Sequence, residues 1–210
     1  MKIPALDRKS IFKIVGILGF YLAIAVTLTW PLAAHLNTHL PLGTESVATV
    51  PLFNLWTLQW NTAQLVSGYP NYWEAPIFFP NTGSFALSEA MPFTGLVFSV
   101  LYGLLNNAVT AYNLTLLFGL GLNGYAAYLL SRQLSVPQSA ALLTGVLAVS
   151  LPFVGRELGV LQLTILWPIF LTFVMLLRFN KQRGLSSALG LGVMMAITIF
   201  TSSQYGLFLS

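Results

Sequence analysis

The chain has 210 residues, of which 56% are hydrophobic and only 7% charged, against about 25% charged in ordinary soluble domains. So few charges cannot clothe a water-soluble surface, and the nine basic and five acidic residues form no basic stripe with interleaved aromatics, so a nucleic-acid partner is excluded. There is no cysteine, which excludes disulfides and thiolate metal sites.

The composition and pattern predict an all-α integral membrane protein. The first segment carries Lys2, Arg8, Lys9 and Lys13, followed by the apolar run Ile14–Ala33, close to the roughly 20 residues that span a bilayer. No small-residue cleavage site closes that run, because Trp30 and Pro31 interrupt it, so it reads as an uncleaved first span. Between Lys13 and Arg132 there is no lysine or arginine, and the only charges are Glu45, Glu74 and Glu89. Short cytoplasmic segments collect Lys and Arg. The amino terminus is therefore expected inside and the cation-free stretch outside, in a multi-pass membrane protein. Further apolar runs follow at Pro92–Leu105, Tyr112–Leu130, Ala140–Val154, Leu158–Leu177 and Leu185–Phe200. If all six crossed, Arg178, Lys181 and Arg183 would fall outside. Removing the 14-residue Pro92–Leu105, which fits a re-entrant or interfacial helix, restores the charge rule. The expectation is about five transmembrane helices in one domain, 1–210, with a large external loop, 35–111.

Within that loop, Asn54, Thr57, Asn61 and Gln64 share one stripe at helical spacing, with Leu52, Leu55, Trp56, Ala63 and Val66 elsewhere around the turn. This predicts an uncharged amphipathic helix lying in the interface, reinforced by Trp60, Tyr69, Tyr72 and Trp73. Pro70, Pro76 and Pro80 then impose an ordered aromatic loop. The apolar stretch Tyr205–Leu209 at the carboxyl end reads as the amino-terminal portion of a longer protein.

This layout resembles the GT-C class of polytopic glycosyltransferases, which includes the protein O-mannosyltransferases and the bacterial lipid A aminoarabinose transferases. The similar segments are Thr29-Trp30-Pro31-Leu32, Pro51–Asn61, Ile77-Phe78-Phe79-Pro80, Leu87-Ser88-Glu89, Ala111-Tyr112-Asn113-Leu114 and Tyr128–Arg132. The resemblance implies transfer of a sugar from a polyprenyl phosphate on the outer face, with an acidic general base in the first external loop and a divalent metal, Mg or Mn. The family usually supplies an aspartate there. This chain has Glu45 instead, five residues before Val50-Pro51. The candidate catalytic residues are Glu45 and Glu89, the latter alternatively starting the helix that follows it. Arg156 is the candidate phosphate ligand and Glu157 the candidate metal ligand, against the alternative of a mutual surface ion pair closing a tight turn. His35 and His39, spaced i, i+4, could bind a metal or form a polar membrane-edge pair. Asn113 reads as a helix-start or interhelical residue, and Gly119, Gly121 and Gly124 as sites of close helix approach. The alternatives to an enzyme are a transporter or flippase-like protein, which would need polar side chains at mid-span such as Asn123 and Gln162, and a non-catalytic truncated relative. The oligomeric state is not legible.

Overall fold

The structure, a computed structural model, describes residues 8–209, and among them there are helices and turns but no strand. The helices are α1 (Arg8–Leu28), α2 (Thr49–Ser67), α3 (Pro92–Leu105), α4 (Ala108–Gln133), α5 (Gln138–Val149), α6 (Pro152–Arg156), α7 (Leu161–Thr164), α8 (Trp167–Lys181), α9 (Leu185–Thr201) and α10 (Ser203–Leu209). Their ends follow local chemistry. Gly68 closes α2 in the left-handed region, Pro92 opens α3, and the Asn107 side chain accepts the Thr110 N–H at 2.8 Å to cap α4.

Four stretches among the described residues are long and apolar enough to cross a membrane: Ser10–Leu28, Ala108–Gln133, Gln138–Arg156 and Leu161–Lys181. This revises the expected five. The fifth, α9, is a 17-residue helix, shorter than the roughly 20 residues a perpendicular crossing uses, and α3 has 14.

Helix α4 is the axis of the bundle, with α1, α3, α5 and α8 packed around it. Close approach comes from small residues. Gly121 sits against Leu22, and a β-carbon on Gly124 would come to 2.7 Å from both the Tyr21 ring and Val149. The Tyr21 hydroxyl, reaching over Gly145, donates to the Leu142 carbonyl at 3.1 Å, so one aromatic side chain locks α1, α4 and α5 together. We expect Gly124→Leu to lower thermal stability by about 1–3 kcal/mol through overpacking, whereas Gly16→Leu, with open space around it, leaves it unchanged.

Two of the four long stretches are interrupted. The first bends at Ser150-Leu151 before Pro152; the second breaks at Ile165-Leu166. Asn123, fully buried on α4, serves the second break completely. Its Nδ2 donates to the Thr164 carbonyl at 2.7 Å, and its Oδ1 accepts the N–H groups of Leu166 and Trp167 at 2.8 Å each. The amide thus makes three of its four possible hydrogen bonds, all to backbone groups at the break.

Charge is segregated along the bundle. Lys13 Nζ donates to Gln138 Oε1 at 3.4 Å, Lys181 Nζ to the Gln133 carbonyl at 3.3 Å, and Arg132 to the Val136 carbonyl at 2.6 Å. The start of α1, the end of α4, the start of α5 and the end of α8 therefore share one cationic end. Arg156 lies at the other end of the Gln138–Arg156 stretch, with Glu157 paired to it and Glu45 in the turn clamped against it.

Helix α2 reverses the expected orientation. Its polar stripe, Asn54, Thr57, Asn61 and Gln64, is buried, while Leu52, Leu65 and Val66 are exposed. Asn54 and Asn61 find polar partners inside, whereas the buried Thr57 Oγ1 and Gln64 Oε1 have none. Asn61 Nδ2 donates to the Thr57 and Ala90 carbonyls at 2.9 and 2.7 Å, and its Oδ1 accepts the Tyr72 hydroxyl at 2.8 Å. These side chains bind α2 to α3 and to the 68–91 loop, where they are worth more than on a water-facing side.

Candidate functional site

The site is built on two irregular segments at the carboxylate end. The first is the 42–45 turn. Gly43, at φ +61°, brings its backbone so close to the Arg156 carbonyl and to Leu158 N that no β-carbon fits. The next residue completes the contact: Thr44 N–H and Oγ1 both bond the Arg156 carbonyl, at 2.9 and 3.2 Å. The Glu45 side chain then lies over Gly159, whose hypothetical β-carbon would sit 3.0 Å from Glu45 Cγ, and Asn54 Nδ2 donates to the Gly159 carbonyl at 3.4 Å. A turn 112 residues earlier in sequence is thereby clamped onto the 156–159 turn.

In that second segment Arg156 ends α6 and Glu157 follows as its C-cap residue. Arg156 Nε donates to Glu157 Oε1 at 2.8 Å, with the Arg156 side chain 61% exposed and that of Glu157 17% exposed. The guanidinium carbon stands 6.0 Å from the Phe153 ring centroid. The surface-pair alternative is thus formed in the structure, and such a pair contributes only about 0–1 kcal/mol. It engages Nε alone. Both Nη groups are left without a protein hydrogen-bond partner among the described residues, a disposition suited to a bidentate oxyanion.

Glu89 does not take the helix-start position that is one of its two sequence expectations. It does not start α3, whose first residue is Pro92. Its carboxylate instead accepts Ser203 N–H at 3.0 Å, Ser203 Oγ–H at 2.7 Å and Gln204 N–H at 3.3 Å, joining the start of α10 to the segment before α3. Next along, Tyr205 donates its hydroxyl to the Leu163 carbonyl at 2.7 Å, and burial, then the Glu157 carboxylate, push its phenol up to about 12. The first turn of α10 therefore links the Glu89 and Glu157 regions. Tyr205 was missed in the sequence because it sits in an apolar run that reads as helix filler.

Two measurable consequences follow. Glu89→Gln keeps the volume but weakens charge-assisted bonds worth about 1.5–3 kcal/mol each, so the Ser203 and Gln204 amides should exchange at least about tenfold faster. Unchanged exchange would show that the carboxylate is not what holds α10. The raised Tyr205 phenol favours the folded protein below its unfolded value of about 10, and that advantage is lost as pH rises towards 12. Tyr205→Phe should accordingly flatten part of the stability loss between pH 10 and 12 in alkaline unfolding curves.

The remaining polar candidates lie apart. Both oxygens of Glu74 accept the Gly83 N–H at 3.1 Å, closing the aromatic loop. The His35 and His39 rings are 4.7 Å apart, with His39 Nδ1 hydrogen-bonded to Thr38 Oγ1 at 2.8 Å. Asn113 does not start a helix; its Nδ2 donates to the carbonyls of Leu36 and His39 at 2.9 and 2.8 Å and anchors the chain after α1. Among the described residues no group of three or more His, Cys, Asp or Glu side chains could hold a metal ion. Glu157 is the carboxylate of its turn and is paired with Arg156.

The described residues form an all-helical protein with four helices long and apolar enough to cross a membrane, a cationic end, and an opposite end where the turns carrying Glu45 and Arg156-Glu157 meet. No family model, curated protein or solved structure matches the chain.

Proposed function

We propose that the chain is a membrane glycosyltransferase of the GT-C kind. It resides in the bacterial inner membrane with its amino terminus cytoplasmic, and moves a sugar from a polyprenyl phosphate to an acceptor hydroxyl at the extracytoplasmic face. The observation that supports this reading is the clamp of Thr44 onto the Arg156 backbone carbonyl, which holds the turn carrying Glu45 against the turn carrying Arg156 and Glu157. The acceptor oxygen attacks the anomeric carbon, the bond from that carbon to the phosphate oxygen breaks, and the polyprenyl phosphate leaves with the electron pair. Glu45 takes the acceptor proton. Arg156 holds the phosphate through its two Nη groups, and Glu157, bonded to Nε, fixes the plane of the guanidinium. Glu89 is a positioning residue that seats α10 beside Glu157.

The test uses the chain in lipid nanodiscs with polyprenyl phosphate as the probe. Arg156→Gln should weaken binding at least about tenfold and Arg156→Lys by less, since an ammonium supplies charge but no planar fork. Equal affinity for all three proteins would overturn the phosphate role. Orientation is checked separately with single cysteines in this cysteine-free chain: Arg132→Cys should label from the cytoplasmic side and Thr82→Cys from the outside, and labelling of both from one side would reject the topology.

A further inference from the structure

We infer that α2 and α3 form a wedge embedded in the lipid leaflet opposite the cationic end, with their outward faces against acyl chains. They do not rest on the surface as an external loop. The inference depends on the membrane setting of the fold and stands whether or not the transferase reading holds.

Depth comes first. The first turn of α3 shares a small apolar cavity of about 50 Å³ with α4, in which Phe93, Thr94 and Val97 meet Phe118, Gly119 and Leu122. Thr115 lines it as well, so Arg132, at the cationic end, lies 10–17 positions further along α4 than the residues α3 meets, or about 15–25 Å at the helical rise. In a hydrocarbon core about 30 Å thick, measured from the Arg132 level, that places the start of α3 about 5–15 Å below the far boundary. Helix α3 then rises to Leu105 and turns through Asn106 and Asn107 into α4. Helix α2 is held at the same depth, because Asn61 donates to the Ala90 carbonyl and packs on Gly95 with no room for a β-carbon.

Polarity is the second, independent observation. The outward side of α3 is wholly apolar: Leu96, Val97, Val100 and Leu104 are exposed, the last at 77%. Its polar Thr94 is buried. In α2 the four polar stripe residues face the protein while Leu52, Leu65 and Val66 face out, Val66 at 84% exposure; Gln59 is the one polar side chain in mid-helix on that side. No charged residue occurs from 46 to 73 or from 90 to 131. A helix on water turns its polar side outwards; one in lipid turns it inwards. Both helices turn it inwards, where Asn54, Asn61, Thr62 and Ser99 find partners, although the buried oxygens of Thr57, Gln64 and Thr94 have none.

The experiment places single cysteines at Val66 and Val100, with Thr82→Cys as the water-facing reference, in the full chain in nanodiscs. A bimane attached at either valine position should be strongly quenched by lipids brominated on the acyl chain. A membrane-impermeant maleimide should react there at least about tenfold more slowly than at Thr82. Reaction as fast as at Thr82 would overturn the inference in favour of a helix pair in water. Slow reaction without bromolipid quenching would overturn it too, by showing that a second copy or another protein covers the face.

Discussion

Replacing Asn123 by leucine is expected to be among the most destabilising single changes in this chain. The residue makes three hydrogen bonds of 2.7–2.8 Å, all to backbone groups exposed by the break between α7 and α8. Leucine shares the branching of asparagine but is larger, so the change removes the bonds without opening a cavity and adds some overpacking. It leaves one carbonyl and two N–H groups buried in an apolar interior, at about 1–3 kcal/mol each. Lipid-embedded hydrogen bonds sometimes contribute less than that, which sets the expected loss at roughly 3–6 kcal/mol, a large share of the 5–15 kcal/mol of an ordinary domain. Thermal unfolding in detergent should show it. Asn123→Asp gives no rescue, because it retains the acceptor for Leu166 and Trp167 but loses the donor to Thr164 and buries a charge. A loss below about 0.5 kcal/mol for Asn123→Leu would mean that the break is held by the packing of Ile165 and Trp167.

Asn123 also marks where reading the sequence stops. The apolar runs of α1, α4 and α8 were legible because about 20 residues without charge have few alternatives to a membrane helix. The break at Ile165-Leu166 has a local signal in Pro168, which has no N–H for the Thr164 carbonyl and opens α8; what left no signal is the amide that satisfies the freed groups, 41–44 residues away on another helix. For α2 the stripe was visible but its direction was not. Periodicity says which residues share a face, and which solvent that face meets depends on where α3 and the Tyr72 loop pack. The site divides in the same way. Scarcity of charge pointed to Glu45, Arg156 and Glu157, and the structure clamps their two turns together. The partner of Glu89, at Ser203, lies 114 residues away in a stretch of ordinary helix residues and left no local signal.

The second large effect is expected in catalysis. If Glu45 takes the proton of the acceptor, Glu45→Gln removes that help, which is typically worth about 10²–10⁴ in rate, and kcat for transfer from a polyprenyl-phosphate sugar should fall by that factor. The substitution keeps the side-chain volume over Gly159, and the clamp itself is made by Thr44 and backbone, so stability should move by less than about 0.5 kcal/mol. Binding of polyprenyl phosphate should also be preserved, because the phosphate is assigned to Arg156. The two variants therefore separate: Glu45→Gln lowers kcat at constant donor affinity, and Arg156→Gln weakens donor binding as well. Glu45→Asp distinguishes charge from reach, since it keeps a carboxylate but withdraws it by one methylene and should recover part of the rate. Transfer at the unmodified rate by Glu45→Gln, with the fold intact, would remove Glu45 as the base. The charge map of this end would then leave Glu157 as the carboxylate next to Arg156 able to take its place, at the cost of the pair that orients the guanidinium.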